Sequence, residues 1–112
     1  MQSFYCMLIC MDDERLDAVF KALADPTRRR ILDRLAERPA QSLFEICVSS
    51  VAEDGGALSR QTISQHLDML ERAGLIRTHR VGRTKVHVFD DVPLRMTLEA
   101  WLSKHLGKGT GT

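Results

Sequence analysis

The chain has 112 residues, of which 44% are hydrophobic and 28% are charged, and its formal net charge is +1. This length predicts one globular domain with its own core and excludes a two-domain protein. Three cysteines, an odd number in a chain without an export signal, favour a reducing compartment over a disulfide framework. We therefore expect a soluble, cytoplasmic protein with no membrane partner.

The first eleven residues form a leader in which the stretch from Phe4 to Met11 is apolar. This apolar stretch is eight residues long. The leader lacks a basic region and is too short for a signal peptide or a membrane span. We interpret residues 1–11 as either disordered or the result of a misassigned translation start, since Met7 and Met11 offer later starts. The folded domain is then expected at residues 12–106, with a disordered tail at 107–112.

Two amphipathic helices are predicted next. The first starts at the acids Asp12 to Glu14, which suit a helix N-terminus, and its apolar residues are Leu16, Val19, Phe20 and Leu23. The second starts with Asp25 as N-cap and Pro26 as its first residue, buries Ile31, Leu32 and Leu35, and ends at Pro39. Its basic cluster, residues 28–30, is interpreted as a solvated or salt-bridged face, with one phosphate contact as the alternative.

A third helix is predicted from the capping box Ser42 to Glu45, in which the serine and the glutamate each satisfy a backbone amide of the other. Its apolar face carries Leu43, Ile46, Cys47 and Val51. The acidic, glycine-containing segment 52–57 is expected to be the turn that follows.

The stretch from Leu58 to Leu75 predicts the functional helix. Ile63, Leu67, Leu70 and Ala73 form one apolar stripe, Ser59 is a plausible N-cap, and Gly74 ends the helix. The other faces carry side chains that can donate to and accept from base edges and phosphates. These are Arg60, Gln61, Thr62, Ser64, Gln65, His66, Asp68 and Arg72. The pattern favours a helix that lies in a DNA groove, and an ordinary solvated helix is the alternative.

Residues 76–80 and 84–89 predict a β-hairpin around Val81-Gly82-Arg83. Arg80, Arg83 and Lys85 lie near its tip, as in a wing that touches the DNA backbone or minor groove. Residues 59–85 together carry six Lys or Arg against two acids, so the basic charge is concentrated here.

A last helix is predicted after Pro93, with apolar residues at Leu94, Leu98, Trp101 and Leu102. The predicted fold is therefore mainly α with a small hairpin, a winged helix-turn-helix of order α-α-α-α-β-β-α. The terminal helices carry more apolar surface than so small a domain can cover, which predicts a homodimer. Its expected interface residues are Leu16, Val19, Phe20, Leu94, Leu98, Trp101 and Leu102.

These patterns predict a DNA-binding protein whose two recognition helices, one from each copy of a dimer, enter successive major grooves of a pseudo-palindromic site in double-stranded DNA. The candidate base readers are Gln61, Thr62, Ser64 and Gln65; Ser59, Arg60 and His66 are assigned to phosphates, and Arg80, Arg83 and Lys85 to the wing. The four histidines are scattered and no nucleophile–base pattern occurs, so no enzyme is predicted. A winged helix used only for protein association is the alternative.

Residues 23–32 (LADPTRRRIL), residues 64–76 (SQHLDMLERAGLI) and the Gly-Arg hairpin tip resemble the ArsR/SmtB family of bacterial winged-helix repressors. The resemblance covers about residues 14–106. It implies a dimeric repressor of operator DNA whose terminal helices form the dimer interface, in agreement with the apolar surplus.

Many members of that family sense metal ions, and here this chain departs from the pattern. Cys47-Val48-Ser49 stands where thiolate-binding members have Cys-Val-Cys, and Asp91, Glu99 and His105 lack the matching histidines of the last-helix sites. The segment from Glu45 to Ser59 is also longer than the family pattern. We therefore expect no metal and no cofactor; the alternative is a soft-metal or redox-responsive repressor that uses Cys6, Cys10 and Cys47.

Overall fold

The structure, a computed structural model, describes residues 2–54 and 58–107, with side chains from 13–50 and 58–106. In chain order the elements are α1 (Gln2–Leu23), α2 (Pro26–Glu37), β1 (Gln41–Ser42), α3 (Leu43–Asp54), α4 (Arg60–Arg72), β2 (Ile76–Val81), β3 (Thr84–Phe89) and α5 (Val92–Leu102). A π-helical turn, Ser103–Gly107, follows α5. The predicted winged helix-turn-helix order is confirmed, with β1 as an addition.

The core lies where α1, α2, α3 and α4 meet the sheet. Ile31 and Leu35 of α2, Ile46 of α3, and Ile63 and Leu70 of α4 are each at most 1% exposed. The predicted stripe of α4 is thus buried along its whole length, because residues three and four apart share one helix face. This packing fixes which face of α4 remains outside.

Helix caps lie where the sequence predicted them. The Asp25 carboxylate accepts from the Arg28 backbone N–H at 3.1 Å, at the start of α2. In the capping box before α3, the Ser42 backbone N–H donates to Glu45 at 2.9 Å and the Glu45 backbone N–H donates to Ser42 Oγ at 3.2 Å. Each bond satisfies an amide that the first helical turn leaves without a partner.

The wing is an antiparallel pair of β2 and β3 in which Arg80 faces Lys85 and Val81 faces Thr84. Gly82 in the two-residue turn has a φ of 64°, in the left-handed region that tight hairpins require. The two-residue strand β1 pairs with the other edge of β3, so that Gln41 faces His87 and Ser42 faces Val86. Strand β1 was not predicted, and it attaches the base of the wing to the start of α3.

Two predicted boundaries were wrong. Helix α1 begins at Gln2 rather than at Asp12, so the acids at 12–14 do not lie in its first turn. Neither glycine nor proline occurs between Gln2 and Leu23, so nothing in the sequence stops the helix there. Helix α3 likewise continues to Asp54, and only the glycine-containing residues 55–57 of the predicted turn remain, outside the described residues. The tail at 108–112 also lies outside them.

Helices α1 and α5 pack side by side and leave large apolar side chains exposed. The Phe20 and Trp101 rings meet edge to face with centroids 6.0 Å apart, yet both remain about 40% exposed, as does Leu102. We call Phe20, Trp101 and Leu102 the terminal apolar surface. The assignment of Val19 to the dimer interface was wrong, because this residue is 0% exposed within its own chain and is part of the core. Leu16, Leu94 and Leu98 are half-buried.

Among the described residues, no helix is both long and apolar enough to cross a membrane.

Candidate nucleic-acid interface

The start of α4 is held by Ser59. Its hydroxyl accepts from the Thr62 backbone N–H at 3.1 Å and lies 2.9 Å from the Thr62 hydroxyl. At the other end, Gly74 has a φ of 81°, and a Cβ there would lie 3.2 Å from Arg15. Glycine is therefore required at the point where the chain leaves α4 for the wing.

The outer face of α4 is polar and open. Arg60, Gln61 and Gln65 are exposed, and Asp68 and Arg72 continue the same side of the helix. Two amides at i and i+4, together with cations at both ends of the helix, can pair with base edges and phosphates. The structure thus brings the predicted readers Gln61 and Gln65 onto one accessible face.

One flank of α4 forms a cleft with the wing, with a volume of about 430 Å³. Arg60, Ser64 and Asp68 line it from α4, and Thr84, Lys85 and His87 line it from β3. Arg60 and Lys85 therefore belong to one surface, although 25 residues of sequence separate them. Asp68 adds a carboxylate that the sequence had placed on the polar face without a role.

His87, on the wall of this cleft, is a structural residue. It is 7% exposed, and its Nδ1–H donates to the Gln41 carbonyl at 3.1 Å, joining β3 to β1. The side-chain amide of Gln41 in turn donates, through Nε2, to the Arg38 backbone carbonyl at 2.7 Å, just after α2. The wing is therefore attached to the helical core through satisfied buried polar groups.

The opposite flank of α4 holds His66, whose Nδ1 lies 3.3 Å from an Arg28 guanidinium nitrogen. The same guanidinium donates to the carbonyls of Ala22 at 2.7 Å and Lys21 at 2.9 Å, at the end of α1. Arg29 donates to the Leu23 carbonyl. Arg28 thus departs from the solvated or salt-bridged face predicted for residues 28–30, because its donors are used within the protein. Arg29 remains exposed, as that prediction expected.

The Asp25 carboxylate lies close to this contact. Burial opposes its ionisation, but the hydrogen bond from the Arg28 backbone N–H and the nearby Arg28 guanidinium outweigh it, so the pKa of Asp25 lies below its usual value. A carboxylate, a guanidinium and an imidazole therefore meet where α1, α2 and α4 come together.

The cations of the wing differ in their freedom. Arg77, near its base, is 3.3 Å from Asp90, and Arg80 donates to the Arg83 carbonyl at 3.3 Å across the turn. Arg83 and Lys85 are exposed, and neither side chain has an ion pair or hydrogen bond to the described part of the chain. Arg83 and Lys85 can thus offer charge to a polyanion without breaking a contact within the described part of the chain.

Comparisons with known proteins agree with this geometry. A family model described as a helix-turn-helix domain matches residues 23–79. An uncharacterised HTH-type transcriptional regulator of Bacillus subtilis, YuzN, is 42% identical over 86 residues, which cover 77% of this chain and 94% of that protein. A crystal structure of an ArsR family transcriptional regulator is similar with a TM-score of 0.72 and 31% identity, covering 89% of this chain and 95% of that one.

The chain belongs to the ArsR family. A further relative, the transcriptional repressor SdpR of Bacillus subtilis, is 32% identical over 84% of this chain and 96% of its own length. The ArsR-type chain is therefore a transcriptional regulator and not an enzyme, as the sequence predicted.

Among the described residues, no group of three His, Cys, Asp or Glu side chains is arranged to hold a metal ion. Cys47 is half-buried and packs against the hydrophobic core. The side chains of Cys6 and Cys10, which the three-cysteine alternative also uses, lie outside the described residues.

Proposed function

We propose that this ArsR-family protein is a homodimeric repressor that binds a pseudo-palindromic operator in double-stranded DNA. The observation that carries the proposal is the accessible face of α4, where Gln61 and Gln65 lie beside a cleft that Arg60 shares with Lys85 of the wing. Amides of this kind read base edges, whereas flanking cations bind phosphates. The similar protein SdpR is a transcriptional repressor, and this similarity supports repression rather than activation as the role of the present chain.

Each site residue has a proposed role. Gln61, Thr62, Ser64 and Gln65 read bases; Arg60 and His66 bind phosphates, and the wing binds backbone through Arg80, Arg83 and Lys85. Ser59 is the N-cap, because its hydroxyl accepts from the Thr62 backbone N–H, and it is proposed to hold a phosphate at the N-terminus of α4.

The proposed dimer follows from the terminal apolar surface. Phe20 and Trp101 are large apolar side chains in mutual contact and still about 40% exposed, which costs free energy in water. In the proposed dimer a second copy covers them, and the two α4 helices enter successive major grooves about one helical turn of DNA apart. A winged helix used only for protein association would need neither the amide face nor the basic tip.

The test separates base reading from backbone binding. The wild-type protein first selects its preferred duplex from a random library, and affinities are then measured for this duplex and for a random one. Gln65→Ala should lower the affinity for the selected duplex by about 1–3 kcal/mol and leave the random duplex unchanged. Arg83→Ala should weaken binding to both duplexes. It should also lower the slope of log affinity against log salt concentration by about the amount expected for one lost phosphate contact. Equal losses with unchanged salt slopes would contradict these roles, and failure to select any duplex would contradict the function.

We also propose that repression is independent of metal ions. Cys47 is half-buried against the core, and Ser49 replaces the second thiolate of the family pattern, so a single thiol is left where two would be needed to chelate an ion. Operator affinity should therefore not change with zinc, cadmium or arsenite added at the protein concentration. Thiolate-to-metal charge-transfer absorbance that disappears in Cys47→Ser, together with release of DNA by the metal, would support the soft-metal alternative instead.

A further inference from the structure

Arg28 connects three helices through a single side chain. From α2, its Nε and one terminal nitrogen donate to the carbonyls of Ala22 and Lys21 at the end of α1, and its other terminal nitrogen reaches His66 of α4. A guanidinium offers its donors in a rigid planar fork, so a contact on one side constrains the contacts on the others. Arg28 therefore links the position of α4 to the position of α1.

The contact also sets which nitrogen of the His66 ring faces an arginine donor. Arginine is always a donor, so Nδ1 of His66 must accept. A neutral imidazole has one donor and one acceptor nitrogen, which leaves the proton on Nε2. Arg28 thus holds His66 in the tautomer whose Nε2–H can donate to an anion such as a phosphate.

The end of α1 that Arg28 binds directly follows the terminal apolar surface. Lys21 and Ala22, whose carbonyls accept from Arg28, are the two residues after Phe20. Ala22 is also 0% exposed in the core, so this end of α1 cannot shift without disturbing its neighbours. The helix that carries part of the proposed dimer interface is therefore tied to the helix that carries the base readers.

We propose that Arg28 is a positioning residue for operator recognition: it fixes α4 and the His66 ring relative to the dimer helix α1, without contacting DNA itself. The inference rests on the proposed function, since it concerns the same recognition helix. It predicts that sequence preference, defined as the ratio of affinities for the selected and the random duplex, depends on Arg28.

Arg29 provides a matched control. It is the neighbouring residue, has the same charge and also donates to an α1 carbonyl, that of Leu23, but its recorded bond does not reach α4. Arg28→Gln should reduce the sequence preference about tenfold, the effect of losing a hydrogen bond to a charged group, whereas Arg29→Gln should change it by less than about twofold. Equal effects of the two substitutions would overturn the proposal. So would an Arg28→Gln protein that loses affinity equally for both duplexes with a shallower salt slope, because that result identifies a phosphate contact.

Substitutions of His66 test the contact from its other side. His66→Asn keeps an acceptor near the position of Nδ1 and should keep most of the sequence preference, although affinity for both duplexes falls. His66→Leu removes the acceptor and should reduce the sequence preference as Arg28→Gln does. The variant that carries both Arg28→Gln and His66→Leu should have a sequence preference no lower than that of either single variant. Additive losses in the double variant would show that the two residues act independently and would overturn the proposal.

The folded state of each variant is checked by circular dichroism and sedimentation. If Arg28→Gln does not fold, Arg28→Lys takes its place, since lysine keeps the charge but cannot reach acceptors on both α1 and α4 at once. The two proposals also fail differently. A wild-type protein that selects no duplex refutes the proposed function and this inference together, whereas normal selection with equal Arg28→Gln and Arg29→Gln variants refutes only the inference.

Discussion

The helix-turn-helix core and the terminal apolar surface treat their large apolar residues in opposite ways. Ile63 and Leu70 of α4 are at most 1% exposed within one chain, whereas Trp101 and Phe20 on the terminal helices are 39% and 44% exposed. The first region completes its packing alone, and the second leaves a surface that another molecule can cover. We therefore expect folding to depend mainly on the inner helices and the buried face of α1, and the proposed dimer to depend on the terminal apolar surface.

The largest expected effect comes from the inner helices. Leu70→Ala removes a 0% exposed side chain and leaves a cavity, so it should lower the free energy of unfolding by about 3 kcal/mol. Urea denaturation measures this change. Met69→Ala, at the neighbouring and 38% exposed position of the same helix, should cost less than about 1 kcal/mol. Similar costs at the two positions would mean that α4 does not complete its packing within one chain.

An intermediate effect is expected at the terminal apolar surface. Trp101→Ala should weaken the dimer by about 2 kcal/mol, the loss typical of a buried aromatic at an interface, while the chain remains folded. Sedimentation across a concentration series measures the dimer, and circular dichroism monitors the fold. Val81→Ala, which alters a 58% exposed apolar residue on the wing instead, should leave the dimer unchanged. A wild-type protein that is monomeric at micromolar concentration would contradict the proposed dimer. A Trp101→Ala protein that unfolds would show that the terminal apolar surface is needed for folding rather than for association.

The smallest effect should appear in acid and should come from two helix caps of the inner region. The Ser42 backbone N–H, opposed by burial and assisted by the Ser42 hydroxyl and Arg38, holds the pKa of Glu45 below its ordinary 4.5. The pKa of Asp25 is also lowered from 3.8. A lowered carboxyl pKa stabilises the fold above the ordinary value, and this stability is lost as the pH falls through the folded value.

Urea midpoints measured from neutral pH downward should therefore be level at first and then decline below about pH 4.5. Glu45→Gln should flatten the upper part of this decline, because glutamine does not titrate. An unchanged decline in Glu45→Gln would show that this cap is not the source of the acid sensitivity.

Local chemistry made much of the fold predictable. The apolar spacing from Ile63 to Leu70 identified the buried face of α4, and Ser59, Gly74 and the Ser42–Glu45 box marked helix ends that the structure confirms. Each of these signals depends on residues that are neighbours in sequence, because a helix turn joins positions three or four apart. The same signals placed Gln61 and Gln65 on the open face.

Contacts between distant residues were not predictable in this way. The Arg28–His66 contact joins residues 38 positions apart, and the bond from His87 to the Gln41 carbonyl joins residues 46 positions apart. Strand β1 has only two residues, too few for an alternating pattern. Val19 was assigned to the dimer although it is 0% exposed, because an apolar stripe does not reveal which of its residues the chain's own core will use.

The pairing of β1 with only the inner end of β3 has a consequence for evolution and for engineering. Val86 and His87 are held on both sides, but the tip from Arg80 to Lys85 is paired only with itself, and a Cβ on Gly82 would meet no atom within 4 Å. Insertions between Val81 and Thr84 therefore add length outside the three-stranded region and leave its register intact. A lineage can vary the reach and charge of this loop without redesigning the domain, and a designer can graft a longer basic loop at the same place.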